Sequence, residues 1–227
     1  MLAILGAMDV ETELLLAGLE SAEELELHGA LLHRGVLAGQ DVILATCGIG
    51  KVNAARVTVA LIAAGAEALV FTGVAGALDP ELRPGDVVVS TDCLQHDVDE
   101  TALGYAPGEI PGETHAWAAD GRLHELALAA CADLADIRAY PGRILSGDTF
   151  LADPSRAAQL REEFGGSCVE MEGAAVAQVC AATDIPFVVI RSISDRADGG
   201  ASPDFRTFTG LAARQSAQVV NGLLKRL

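Results

Sequence analysis

Along this chain, short apolar runs alternate with longer stretches in which apolar residues return every three or four positions. The runs Leu2 to Gly6, Val42 to Thr46, Ala68 to Thr72, Asp86 to Ser90, Gly142 to Ser146 and Pro186 to Arg191 predict strands. The periodic stretches Val10 to Glu20, Lys51 to Ala64, Arg122 to Leu134, Ser155 to Phe164, Gly173 to Thr183 and Thr207 to Arg226 predict helices. Strands that are apolar on both faces belong to sheets covered on both sides, so the alternation predicts an α/β fold with a largely parallel sheet wrapped by helices. His28 to Val36 reads as an added antiparallel hairpin strand. Asp92 to His115 has no period and carries Gly and Pro around Tyr105, so it reads as a long loop, of a length usual for lids and interface elements.

At 227 residues the chain is expected to form a single domain, 1–227, without repeats or linkers. Half of it is hydrophobic (51%) but only 4% is aromatic, so the core must be built from Ala, Val, Leu and Ile. The formal charge of −17 works against a nucleic-acid partner, because phosphate binding depends on Lys and Arg. Cys47, Cys93, Cys131, Cys168 and Cys180 are odd in number and show no C-x-x-C pair, which argues against a disulfide frame and against a zinc site. The apolar start Met1 to Leu5 lacks a basic flank and is followed by Asp9, Glu11 and Glu13, so it reads as a first strand. No run is long enough to span a bilayer, and a reducing cytoplasm is the expected compartment.

The chemistry is concentrated behind the strand Pro186 to Ile190, in Arg191-Ser192-Ile193-Ser194-Asp195. Open α/β sheets place ligands beyond the carboxyl ends of their strands, and an Asp there can give or take a proton. A second acidic cluster, Val169-Glu170-Met171-Glu172, lies about one helix earlier, close enough in topology to share a crevice. Gly6-Ala7-Met8, Gly48-Ile49-Gly50-Lys51 and Thr72-Gly73-Val74-Ala75-Gly76 read as turns after strands, and none has the spacing of a phosphate-binding loop. Glu11 opens the first helix, where a favourable interaction with the helix dipole accounts for it as readily as catalysis does. His96-Asp97-Val98-Asp99 has no metal-ligand spacing and reads as a solvated loop. From Met1 to His33 there is no Lys or Arg, so the first strand offers carboxylates suited to activating water and no cation for an attacking phosphate.

Taken in order, Gly6-Ala7-Met8 with Glu11, Gly48-Ile49-Gly50-Lys51-Val52, Thr72-Gly73-Val74-Ala75-Gly76, Arg83-Pro84-Gly85-Asp86, Ser146-Gly147-Asp148-Thr149-Phe150, Val169-Glu170-Met171-Glu172 and Arg191-Ser192-Ile193-Ser194-Asp195 span nearly the whole chain. In this set and order the sequence resembles the 5′-methylthioadenosine/S-adenosylhomocysteine nucleosidases of the purine and uridine phosphorylase superfamily. The resemblance implies a three-layer α/β/α sandwich with a mixed, largely parallel central sheet, a homodimer, a nucleoside substrate, and neither metal nor cofactor. It implies Asp195 as general acid toward the adenine, oriented by Ser194, and Glu11 as base toward water, with Arg191 and Glu172 in reach of that water. It further implies Met171 and Glu172 as the ribose clamp, with Phe150 stacking on adenine and the Leu151 backbone reading its edge. Ile49, Phe205 and a partner subunit's Leu103, Tyr105 and Pro111 would form the slot for the 5′-alkylthio group.

The chain departs from the family pattern at Val74, often Ser, at Leu103, often Phe, and at Glu100, often apolar. Three other readings share the fold: a futalosine-type nucleosidase, a nucleoside phosphorylase, and a non-catalytic nucleoside-binding protein. The cation-free amino-terminal segment speaks against the phosphorylase. Ser194, Asp195 and Phe150 speak for an adenine base, and retention of both Glu11 and Asp195 speaks against a silent binder.

Overall fold

The computed structural model describes residues 1–197 and 201–227, with no side chains over 201–207. The strands are β1 (Leu2–Gly6), β2 (Glu20–Leu27), β3 (Ala30–Leu37), β4 (Gln40–Thr46), β5 (Ala68–Ala77), β6 (Val87–Gln95), β7 (Trp117–Ala118), β8 (Ala139–Ser146), β9 (Cys168–Glu170) and β10 (Phe187–Asp195). The helices are α1 (Asp9–Ala17), α2 (Lys51–Ala63), α3 (Gly121–Ala132), α4 (Pro154–Phe164), α5 (Gly173–Ala182) and α6 (Ala201–Leu224). Their starts follow from local chemistry. Asp120 accepts the Leu123 N–H at 2.9 Å ahead of α3, and Asp153 accepts the Ser155 N–H at 2.8 Å ahead of α4, whose first residue is Pro154.

The sheet runs β10-β6-β8-β9-β5-β1-β4-β3-β2, and β10 also pairs with β5. Strands β5, β10, β6, β8 and β9 therefore close on themselves, while β1, β4, β3 and β2 extend from β5. Pairings β1–β4, β1–β5, β5–β10, β6–β8 and β8–β9 are parallel, and the outer hairpin β2–β3–β4 is antiparallel. Successive strand residues point to opposite faces. Leu5, Phe71 and Val189 thus pack with Val57 and Leu61 of α2 and Val176 of α5, whereas Ile4, Val70 and Ile190 pack with Leu15 of α1 and Val219 and Leu223 of α6. These are the helical layers on the two faces of the sheet.

The structure changes several expectations. Thr72 to Ala77 is not a turn: β5 continues to Ala77, because β10 also runs on to Asp195 and pairs Arg191, Ser192 and Ile193 with Gly73, Val74 and Ala75. The polar cluster after Ile190 is thereby inside a buried strand. Glu20 does not end the first helix, which stops at Ala17; it begins the edge strand β2. This strand, Glu-Ser-Ala-Glu-Glu-Leu-Glu-Leu, is exposed almost throughout, so it carries no hydrophobic alternation by which to be recognised. β6 reaches Gln95, inside the expected loop, and the remainder of that segment is irregular apart from a 3-10 turn at Thr101–Leu103. Among the described residues no helix is long and apolar enough to cross a membrane.

Candidate active site

Closure of the sheet brings the ends of β1, β5, β9 and β10 around one cleft of about 600 Å³, open to solvent. Ala7, Met8 and Glu11 line it from the β1–α1 junction, and Val74 to Gly76 from β5. Glu170, Met171 and Glu172 line it from the β9–α5 junction, and Ser194 and Asp195 from β10. Thr149, Phe150, Leu151 and Ile49 complete the rim. The fold thus gathers eight predicted site residues: Glu11, Ile49, Phe150, Leu151, Met171, Glu172, Ser194 and Asp195. Arg191 lies behind this lining, 1% exposed. Leu103, Tyr105 and Pro111 stand exposed outside the cleft of their own chain, and the Phe205 side chain lies outside the described residues.

Glu11 is the third residue of α1, and its carboxylate turns back over the helix start. Oε2 accepts the N–H groups of Ala7 at 2.7 Å and Met8 at 2.8 Å, while Oε1 accepts that of Val74 at 3.0 Å. The carboxylate caps the start of its own helix and lines the cleft. Burial pushes its pKa up, against the opposing pull of Arg191 and the three amides. Val74 contributes its backbone N–H, which any residue offers. Gly73 is required by close approach: a Cβ there would lie 2.6 Å from Glu11 Oε1 and 2.7 Å from Arg191 Nη1.

Arg191 stacks on the Phe71 ring with its guanidinium carbon 4.0 Å from the centroid, and its Nη2 donates to Glu170 at 2.5 Å. Glu170 also accepts the Glu172 N–H at 3.2 Å, the Gly173 N–H at 2.8 Å and the Ser146 hydroxyl, so it seats the start of α5 as well as the guanidinium. Arg191 Nη1 has no hydrogen-bond partner among the described residues and lies, with Glu11 Oε1, against Gly73. Glu11, Glu170 and Glu172 are three buried carboxylates around one guanidinium. Burial alone would depress the Arg191 pKa, but these carboxylates outweigh it and raise it. Glu172 accepts the Gly50 N–H at 2.7 Å; burial and then the Glu170 charge push its pKa up to about 8, despite Arg191 and Gly50.

At the other end, Asp195 accepts the Ser194 hydroxyl at 2.8 Å on Oδ2 and the Ala197 N–H at 2.8 Å on Oδ1. Asp195 is 3% exposed and lines the cleft, as does Phe150, which is 46% exposed. Two buried carboxyl groups, Glu11 from the β1–α1 junction and Asp195 from β10, therefore line one cleft together with an exposed aromatic ring. Sequence reasoning assigned no role to Glu170 or Ser146; the signal was present in Glu170-Met171-Glu172, where a second carboxylate two residues away needs a partner if both are buried. His96-Asp97 is not a solvated loop. His96 is 9% exposed, packed under Gly147, and Asp97 pairs with Lys51 at 2.7 Å.

A sequence profile of the phosphorylase superfamily matches residues 1–225. The 5′-methylthioadenosine/S-adenosylhomocysteine nucleosidase of Tolumonas auensis is 41% identical over 228 residues, covering 100% of this chain and 99% of its own length. The chain belongs to this family of nucleosidases. The Neisseria meningitidis member, solved with methylthio-immucillin-A, is 40% identical with a TM-score of 0.96, covering 100% of this chain and 99% of that one. A futalosine hydrolase from Helicobacter pylori is similar as well, at 37% identity and a TM-score of 0.94, covering 100% and 97% of the two chains. The family likeness therefore runs the full length of the chain and includes every element that builds the cleft.

Proposed function

We propose that this protein hydrolyses the N-glycosidic bond of 5′-methylthioadenosine and S-adenosylhomocysteine, releasing adenine and the corresponding thioribose. The observation that carries this reading is the seat of the Glu11 carboxylate on the N–H groups of Ala7, Met8 and Val74. Converging backbone N–H groups are where an attacking phosphate would be held, and here the Glu11 carboxylate already occupies them. Water is the nucleophile that this corner admits. Glu11 takes its proton, with Arg191 Nη1 supplying a donor from the same side.

Cleavage leaves negative charge on the purine and positive charge on the sugar. Asp195, oriented by Ser194, protonates the leaving base as Phe150 stacks on it and the Leu151 backbone meets its edge. Met171 and Glu172 hold the ribose hydroxyls, and the buried carboxylates stabilise the cationic sugar. Ile49 meets the 5′ substituent. Acid and base are both side chains of this chain.

The reading extends to a homodimer. Large apolar side chains stand exposed on the cleft rim, on α2 and on the segment after β6: Ile49 at 55%, Val52 at 79%, Leu103 at 72% and Tyr105 at 38%. A second copy would cover them and bring Leu103, Tyr105 and Pro111 to the 5′ slot. Five free, buried cysteines suit a reducing cytoplasm. The test is adenine release from methylthioadenosine, S-adenosylhomocysteine and a futalosine-type nucleoside, with and without phosphate. The expected result is adenine with a free thioribose, at a rate indifferent to phosphate; a sugar 1-phosphate product would overturn it.

A further inference from the structure

Beside the cleft, three separate segments are joined in a closed ring of hydrogen bonds. The Lys51 N–H donates to Asp148 Oδ1 at 2.9 Å, and the Asp148 N–H donates to Asp97 Oδ2 at 3.0 Å. Lys51 Nζ closes the ring by donating to Asp97 Oδ1 at 2.7 Å. Each member stands next to a part of the site. Lys51 begins α2 two residues after Ile49, Asp148 precedes Phe150 by two residues, and Asp97 follows β6 at the start of the segment that bears Leu103 and Tyr105. The turn before Lys51 also holds the sugar side, since the Gly50 N–H donates to Glu172. Lys51 Nζ further donates to Gln95 Oε1 at 2.9 Å, and Gln95 in turn to Gln178 of α5 at 2.8 Å.

Between Ser146, where β8 ends, and Pro154, where α4 begins, the chain has no regular structure, so such contacts set where Phe150 stands. His96 supports the loop from below: a Cβ on Gly147 would lie 2.4 Å from its Nε2. Burial works against the Asp97 carboxylate, but Lys51 and the Asp148 amide outweigh it and hold its pKa below the ordinary value. The Lys51 and Asp97 side chains are 19% and 27% exposed, so their ion pair adds little to global stability. A contact that weakly stabilises the whole can still fix one irregular segment.

We propose that Asp97 is a positioning residue: by holding Lys51 and the Asp148 amide together, it fixes the Phe150 loop against the Gly48–Lys51 turn and thereby sets affinity for the purine end of the substrate. The proposal rests on the reading of Phe150 as the base platform. It is tested with Asp97→Asn, Lys51→Met and Lys51→Arg in the full-length protein. The readouts are hydrogen exchange over 147–151, calorimetric binding of adenine, and kcat and KM separately. Asp97→Asn is expected to raise exchange over 147–151 while β10 stays protected. Losing charge-assisted bonds in a partly solvated setting should weaken adenine binding and raise KM about tenfold, with kcat changed about threefold or less. Lys51→Met should reproduce this, Lys51→Arg should restore most of it, and Asp97→Asn with Lys51→Met should be no worse than either alone. Unchanged exchange and adenine affinity in Asp97→Asn would overturn the proposal, as would a loss of kcat and thermal stability with adenine affinity intact. Wild-type protein that fails to bind adenine would overturn the base-platform reading, and with it the assigned effect on affinity; normal binding by wild type and variant alike would overturn the ring alone.

Discussion

Replacing Gly73 by Ala probes the corner on which hydrolysis depends, without removing any functional group. The added methyl would lie 2.6 Å from Glu11 Oε1, 3.0 Å from its carboxyl carbon and 2.7 Å from Arg191 Nη1. Non-bonded heavy atoms settle at roughly 3.5 Å, so the methyl must be relieved on both sides, by about 0.9 Å from Glu11 and about 0.8 Å from Arg191. Arg191 is wedged between the Phe71 ring and Glu170 and has little room to move. The strand backbone at residue 73 must then shift away from Arg191 and toward Glu11, so Glu11 yields most, and its 3.0 Å bond from the Val74 N–H stretches beyond hydrogen-bond range. A lost bond to a charged group is worth about 1.5–3 kcal/mol, and a displacement approaching 1 Å at a reacting group costs about a hundredfold in rate. The expected result is a fall in kcat of about a hundredfold. Adenine binding should change little, because the atoms nearest the methyl belong to Glu11 and Arg191 and not to Phe150, Leu151 or Asp195. Stopped adenine release gives kcat, calorimetry gives adenine affinity, and a thermal melt verifies the fold. Near-native kcat in Gly73→Ala would refute the assignment of Glu11 as the base held by this corner, and an equal loss of adenine affinity would refute the separation of base and acid ends.

Asp195→Asn should lower adenine release by about a hundred- to ten-thousand-fold while nucleoside binding persists, since an amide cannot deliver the proton; near-native turnover at neutral pH would contradict the role. The raised Glu172 pKa means that the folded state holds a proton which the unfolded chain releases at lower pH, so this group costs stability as pH rises from its ordinary value to about 8. Melting temperature should accordingly fall less steeply across pH 5 to 8.5 in Glu172→Gln than in wild type, and parallel curves would show that Glu172 is not the group concerned. Arg191→Met leaves three buried carboxylates without their cation and should destabilise by about 3–5 kcal/mol in urea unfolding, with a smaller loss at acid pH where the carboxylates protonate. A loss under about 1 kcal/mol, equal at both ends of the pH range, would show that the ion pair is not what holds this corner.

The α/β class was legible in the sequence because it rests on short-range periodicity. Runs such as Val188-Val189-Ile190 and stretches such as Lys51 to Ala63 state their element type within a few residues, and six predicted strands and six predicted helices are present. The candidate site residues were legible for a different reason. Asp195 follows a strand too apolar to be exposed, which marks it as a group at a strand end, whereas Glu11 and Glu172 stand at helix starts and were singled out by the resemblance of the motifs around them to the nucleosidase family. Edge strand β2 and the three-residue β9 were not legible, since the first has no buried face and the second no length.

What the tertiary structure alone decided is which buried groups satisfy one another. Pairing of β5 with β10 turned an expected glycine turn into strand and put Gly73 against both Glu11 and Arg191. Closure of the sheet made Glu170 the partner of Arg191 across 21 residues, and the packing of loops made Asp97 the partner of Lys51 across 46. Sequence encodes the cost of burying each charge locally, but the compensation comes from whichever strand or loop the topology brings alongside, and that information exists only in three dimensions.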